Sequence, residues 1–148
     1  MSLFLQLAQT PSPFDIPVRN YGNTDIPANT AVVLDTTNYV NAATLDDGIG
    51  VMLPATGVAG PLAIGITMET LKAGGSAGRL RPAAPTAFGV AHNTVNVGSV
   101  VDAENVAAHE GQIVAHVAGK PQLGIALTQA ADGDNVLVLL AATGANNA

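Results

Sequence analysis

The stretch "PLAIGITMETLKAGGSAGRLRP" (residues 61–82) is built like "PQLGIALTQAADGDNVLVLL" (121–140). Matching the two places Gly65 near Gly124, Ile66 with Ile125 and Met68 with Leu127; a Gly-containing turn follows, and then "GRLRP" lies against "NVLVLL". Each copy reads as strand, turn, strand. Upstream, "NTAVVLD" (29–35) resembles "VGSVVD" (97–102), with Val33 and Leu34 against Val100 and Val101 and Asp35 against Asp102. The pattern predicts two related β modules whose half-sheets pair into one closed or nearly closed barrel, an arrangement that removes the exposed edges on which lone sheets aggregate.

The remainder of the chain from Ile26 onward is punctuated in the same way. Short runs rich in β-branched residues are separated by Gly, Pro, Asn and Asp, which is the pattern of an all-β fold. Strands are expected at "TAVVLD" (30–35), "GIGVML" (48–53), "LAIGITM" (62–68), "AGRLRP" (77–82), "AFGVA" (87–91), "GSVVDA" (98–103), "GQIVAHV" (111–117), "QLGIALT" (122–128) and "NVLVLLA" (135–141). Helical periodicity is confined to "METLKAG" (68–74) and "DAENVAAHEG" (102–111), each offering about two turns ended by Gly. The fold class is therefore all-β: a small β-barrel or β-tulip-like domain with internal duplication and an extended N-terminal arm.

That arm comes from the first residues. Pro11, Pro13, Pro17 and Pro27 fix φ and remove backbone donors, which argues against a long helix or a central strand. We divide the chain into an extended Pro-rich arm (1–25), a β domain (26–143) and a flexible tail (144–148). The arm carries Leu3, Phe4, Leu5, Phe14 and Ile16, apolar side chains on a segment unable to build its own core. They need a surface to lie against, either a partner or the chain's own domain, and these five are the candidate partner-binding residues.

Composition narrows the function. At 148 residues the chain has the length of one domain, and it holds no cysteine, which excludes disulfides and thiolate chemistry. Only 11% of residues are charged, with five Lys and Arg against eleven Asp and Glu. Contact surfaces are depleted of charge, so this balance favours a protein that works assembled. It also argues against nucleic acid and membrane partners, since Arg79 and Arg81 form the densest basic cluster. No basic region precedes Arg19, so no signal peptide is expected, and no apolar run approaches the ~20 residues that span a bilayer.

Chemistry-bearing residues are sparse. His92, His109 and His116 lack the spacing that one hairpin or helical turn imposes on metal ligands. Asp46, Asp47 and Gly48 lack the alternating oxygens of a calcium loop, and "DGDN" (132–135) serves a turn. The pairs Glu69 with Asp35, Asp102 with Glu104 and Asp132 with Asp134 are conceivable carboxylate dyads that nothing in the sequence puts in a cleft. No G-x-S-x-G elbow occurs, and "GGSAGR" (74–79) lacks the Lys-Ser/Thr of a phosphate loop. We expect no enzyme, no catalytic residue, no metal and no cofactor.

The order of "PANTAVVLD", "GIGVMLPAT", "GIT", "GRLRP…AFGVA", "GSVVDA" and "QLGIALTQAADGDNVLVLL", over about residues 22–143, resembles the capsid decoration, or cement, proteins of tailed bacteriophages, formerly a domain of unknown function. The resemblance implies an all-β virion protein made in the host cytoplasm. It would bind the major capsid protein on the outer surface of an icosahedral head and stabilise the lattice, as a homotrimer in preference to a dimer. No catalytic residue follows from the family. The alternative from another class is a carbohydrate- or cell-surface-binding module of a phage fibre; with no Trp, and Tyr only at 21 and 39, it lacks the aromatic faces on which sugars stack.

Overall fold

A computed structural model describes residues 15–37, 49–55, 63–82 and 86–140. Their ten strands are β1 (Ile16–Asn20), β2 (Ala31–Leu34), β3 (Ile49–Met52), β4 (Gly65–Thr67), β5 (Ser76–Arg81), β6 (Ala87–Val90), β7 (Val100–Ala103), β8 (Ile113–Ala115), β9 (Gly124–Ala126) and β10 (Asn135–Leu140). All nine expected runs contain a strand. Neither expected helix is present: 68–75 is a turn held by the Ile26–Leu71 bridge, and 102–111 finishes β7 and then turns. In the first, Leu71 serves a sheet pairing instead of a helix face; in the second, Val106 is exposed in the turn.

The duplication is real, and it is closed differently from the expectation. Strands β1-β3-β2-β4-β5 form a closed barrel, with β5 returning to β1. The second five strands repeat this circuit: β10 pairs with β6 and β9, and β9 with β7, which pairs with β8. A single parallel bridge, Ala91 to Ile113, stands where the first barrel has its parallel β1–β3 pairing. The first module thus closes on itself, and the second is a five-stranded sheet, curled so that one bridge joins its edge strands and called the second barrel for that shape, instead of each contributing half of one barrel.

Register fixes which residues correspond. Ala31 pairs with Ile66 and Ile66 with Arg81 in the first barrel; Val100 pairs with Ile125 and Ile125 with Leu139 in the second. Gly65 and Ile66 therefore match Gly124 and Ile125, as the sequence suggests. Upstream the sequence match is out of step: Ala31 and Val32, not Val33 and Leu34, correspond to Val100 and Val101. The counterpart of Asp35 is then Glu104, not Asp102. A run of similar β-branched residues fits its partner almost as well after sliding, and only the ladder settles it.

The first barrel's core is Val18, Ile26, Val32, Val51, Leu71 and Leu80, with Ile16, Ile49, Leu53 and Ile64 against it. Inside it Val18 pairs with Gly78, whose missing Cβ leaves room for Leu71. The second barrel has the pair reversed: Gly89, which leaves room for Ile113, faces Val136. A five-stranded barrel has space for one side chain at this level, and either strand can supply it.

The arm requires a correction at its inner end. Strand β1 lies wholly within the expected arm, yet it sits between β3 and β5, and Ile16 packs on the first barrel's core. Pro17 is tolerated because pairing with β3 begins only at Val18. Leu3, Phe4, Leu5 and Phe14, and the tail 144–148, lie outside the described residues.

Candidate functional site: the barrel junction and the histidine cluster

The two barrels meet where β5 ends and β6 begins. Arg81 donates from Nε to Asp15 Oδ1 at 2.9 Å and from Nη2 to Oδ2 at 3.2 Å, a bidentate pair with both side chains buried. Its Nη1 donates to the Thr86 carbonyl at 3.1 Å, so one guanidinium ties the start of β1, the end of β5 and the approach to β6. Arginine suits this place because its planar fork satisfies a carboxylate and a carbonyl at once. Around it, the outward-facing Ala31 and Ile66 join a core shared with Val101, Ile113, Leu123 and Val138 of the second barrel. Backbone groups complete the contact: Val90 N–H donates to the Asn29 carbonyl at 3.2 Å, and Ala31 N–H to Gly111 at 2.8 Å. Gly111 has φ of 79°, and a Cβ there would meet Ala31 O and Thr30, so the close approach needs glycine.

The second barrel gathers the three histidines. The rings of His92 and His109 stack with centroids 4.0 Å apart and planes 4° from parallel. His92 Nδ1 is 3.2 Å from Glu104 Oε2, and Lys120 Nζ donates to Glu104 Oε1 at 3.1 Å. His109 Nδ1 meets Gln112 Oε1 at 3.0 Å. Burial pushes the Glu104 pKa up, but the Asn105 N–H, Lys120 and His92 outweigh it and hold the carboxyl below its ordinary value. His116 stands apart, with Nδ1 2.7 Å from Asp102 Oδ1, while Val117 N–H donates to Oδ2 at 2.9 Å.

These partners settle the carboxylate pairs. Asp102 and Glu104 each engage a different histidine, Glu69 accepts from Arg79 Nε at 3.3 Å, Asp35 accepts from Thr37 N–H and Asp132 from Asn93 N–H. The acids serve as local ties, and among the described residues no group of three or more His, Cys, Asp or Glu is placed to hold a metal ion. Asp46, Asp47 and Gly48 lie outside those residues. The sequence does not show the histidine stack, since it depends on the course of the chain between β7 and β8. The His116–Asp102 contact was within reach, because two adjacent strands paired antiparallel bring 102 opposite 114.

A cleft of about 210 Å³ is lined by Asn20, Gly22, Asn23, Thr24, Ile26, Met52 and Leu53. Small-molecule sites usually enclose ~300–1,000 Å³. Apolar side chains are exposed instead at Leu34 and Met52 on the first barrel and at Val97, Val106, Val117, Ile125, Leu127 and Leu139 on the second. Such a surface suits contact with another macromolecule.

No protein-family model matches the chain, and no curated protein matches its sequence. Among solved structures it is similar to the N base of the head fibre gp8.5 of bacteriophage phi29, with a TM-score of 0.60 and 14% identity over 86% of this chain and 92% of that one. At that identity the likeness is one of fold.

Proposed function

We propose that this chain is a structural protein of a phage virion, which binds the outer surface of an icosahedral head and stabilises the capsid lattice. The observation that carries the reading is the likeness of fold to a head-fibre base, which extends over most of both chains. Fold alone does not fix function, so the chain's own features have to agree. They do: few charges, carboxylates such as Asp102 and Glu104 engaged in local ties, and apolar side chains facing outward. The protein acts by binding, without catalysis or cofactor. Its partners are the major capsid protein and further copies of itself, a homotrimer before a dimer. Several modest contacts made by one oligomer add to tight attachment, and a ligand of the assembled shell alone shifts disassembly by linkage.

A second reading follows from the same neighbour, which is part of a head fibre: the chain forms the base of a fibre whose distal part meets cells or carbohydrate. Heads prepared without the protein separate the two. For a cement, such heads lose their DNA at lower temperature, and adding the purified chain restores the wild-type value. For a fibre base, they keep that temperature and lose a surface projection in electron micrographs. Absence of the chain from purified particles by mass spectrometry rejects both.

A further inference from the structure

The seam of the second barrel is where the first barrel enters it. Its edge strands β6 and β8 are joined by the Ala91–Ile113 bridge, with His92 N–H donating to Ile113 O at 2.8 Å. Next to that bridge the segment Asn29–Ala31 of the first barrel engages both strands: Val90 N–H donates to Asn29 O at 3.2 Å, and Ala31 N–H to Gly111 O at 2.8 Å. A histidine stands on each bank. His92 follows β6, and His109 lies in the turn that leads into β8, its carbonyl accepting from Gln112 N–H at 3.0 Å. Their stacked rings, 4.0 Å apart, therefore span the seam.

The charges around the stack are unequal. On the His92 side, Glu104 at the end of β7 offers Oε2 to Nδ1 at 3.2 Å, so a first proton on the pair is compensated there. Lys120, from the loop after β8, already holds the other oxygen of that carboxylate. On the His109 side Nδ1 meets the Gln112 amide oxygen at 3.0 Å, a neutral group. The other acids of the region are Asp102, which His116 engages; Asp132 and Asp134, which are exposed, the former accepting from Asn93 N–H; and Glu110, half-buried next to His109 in the chain. A second proton would set two cations face to face at 4.0 Å, with the hydrogen-bonded carboxylate already shared with a lysine. Like charges so close disfavour the doubly charged form, and histidine is the side chain that ordinarily changes charge between about pH 5 and 8.

We propose that the His92–His109 stack is an acid-sensitive latch on the seam: a second proton on the pair parts the rings and loosens the seat of Asn29–Ala31, so the two barrels uncouple as pH falls. The sign follows from linkage. The opened seam takes up the second proton that the closed one resists, so closure is complete at neutral pH and is lost as the pair titrates. Glu104 stays an anion over this range, because its pKa lies below the ordinary value of 4.5. The latch needs only this chain, so its failure leaves the virion reading intact, and the reverse holds.

Amide hydrogen exchange of the full-length chain, expressed as protection factors at about pH 7.5 and about pH 5, tests it. Protection at the His92 and Ala31 amides should fall by roughly tenfold or more towards acid, the scale on which two titrating sites count as coupled. The Leu71 amide, which bonds to Ile26 O within the first barrel, should keep its protection. His109→Phe retains a ring to stack on His92 and cannot take a proton, so its seam amides should be equally protected at both pH values. His92→Phe, changed on the opposite bank, should behave alike and serves if the first variant does not fold. Unchanged protection at the seam of the parent overturns the proposal, and so does a loss of the parent's size in a folded chain carrying either phenylalanine.

Discussion

The two barrels share a circuit of strands and differ in what each strand carries outward. In the first, Ala31, Ile66 and Arg81 face a neighbour and are sealed; in the second, Val100, Ile125 and Leu139 occupy the same ladder positions and face outward. Inside, the Val18–Gly78 pair of one becomes the Gly89–Val136 pair of the other. What the duplication preserves is register. Side-chain identity follows from what lies next to each position, and for that reason 0% and 40% exposure coexist at two matched isoleucines.

The comparison is broken most severely at the guanidinium. Asp15→Asn leaves Arg81 buried without its carboxylate, a change that typically costs about 3–5 kcal/mol. Urea denaturation should show that loss, and the double variant Asp15→Leu/Arg81→Met should recover most of it. A single-variant loss below ~1 kcal/mol, the range of exposed pairs, would mean that the clasp is not what seals the junction.

The matched isoleucines sharpen it. Ile66→Ala should cost about 2–5 kcal/mol and lower Tm by roughly 5–15 °C. Ile125→Ala, measured at a concentration where the chain is monomeric, should stay within about 0.5 kcal/mol of the parent. Equal losses would show that the two rows are equally covered.

The smallest effect concerns acid at Glu104. Glu104 has a folded pKa below its unfolded value, so its stabilising share is complete above the ordinary glutamate value of 4.5 and is lost as pH falls through the lower folded value. Glu104→Gln should therefore be less stable than the parent at neutral pH, by no more than the ~1 kcal/mol of a partly exposed pair, and the gap should close in acid. A gap that does not narrow in acid would show that Glu104 acts through packing and not through its charge.

The strands were legible because Gly, Pro, Asn and Asp bound each β-branched run, and the duplication because Gly65–Ile66 and Gly124–Ile125 start equivalent strands. Strand β1 was hidden by Pro17: a proline counts against a central strand, and its exemption depends on where the β3 ladder starts, which composition does not encode. The helical reading of "METLKAG" failed because Leu71 faces a barrel interior and pairs with Ile26, a contact far away in sequence. The His92–His109 stack belongs to the same class, since it unites the end of β6 with the turn before β8.

Every ladder of the first barrel lies within residues 16–81, and every ladder of the second within 87–140. On a ribosome the first barrel can therefore finish before the second exists. Ile66 then waits in water until some sixty further residues arrive, a delay of roughly 3–12 s at ordinary synthesis rates of ~5–20 residues per second. During that interval the nascent chain displays on its first barrel the same kind of apolar face that the finished chain keeps on its second. A stalled or truncated product ending near residue 82 would leave Ile66 in water, so completion of the second barrel is what seals the first.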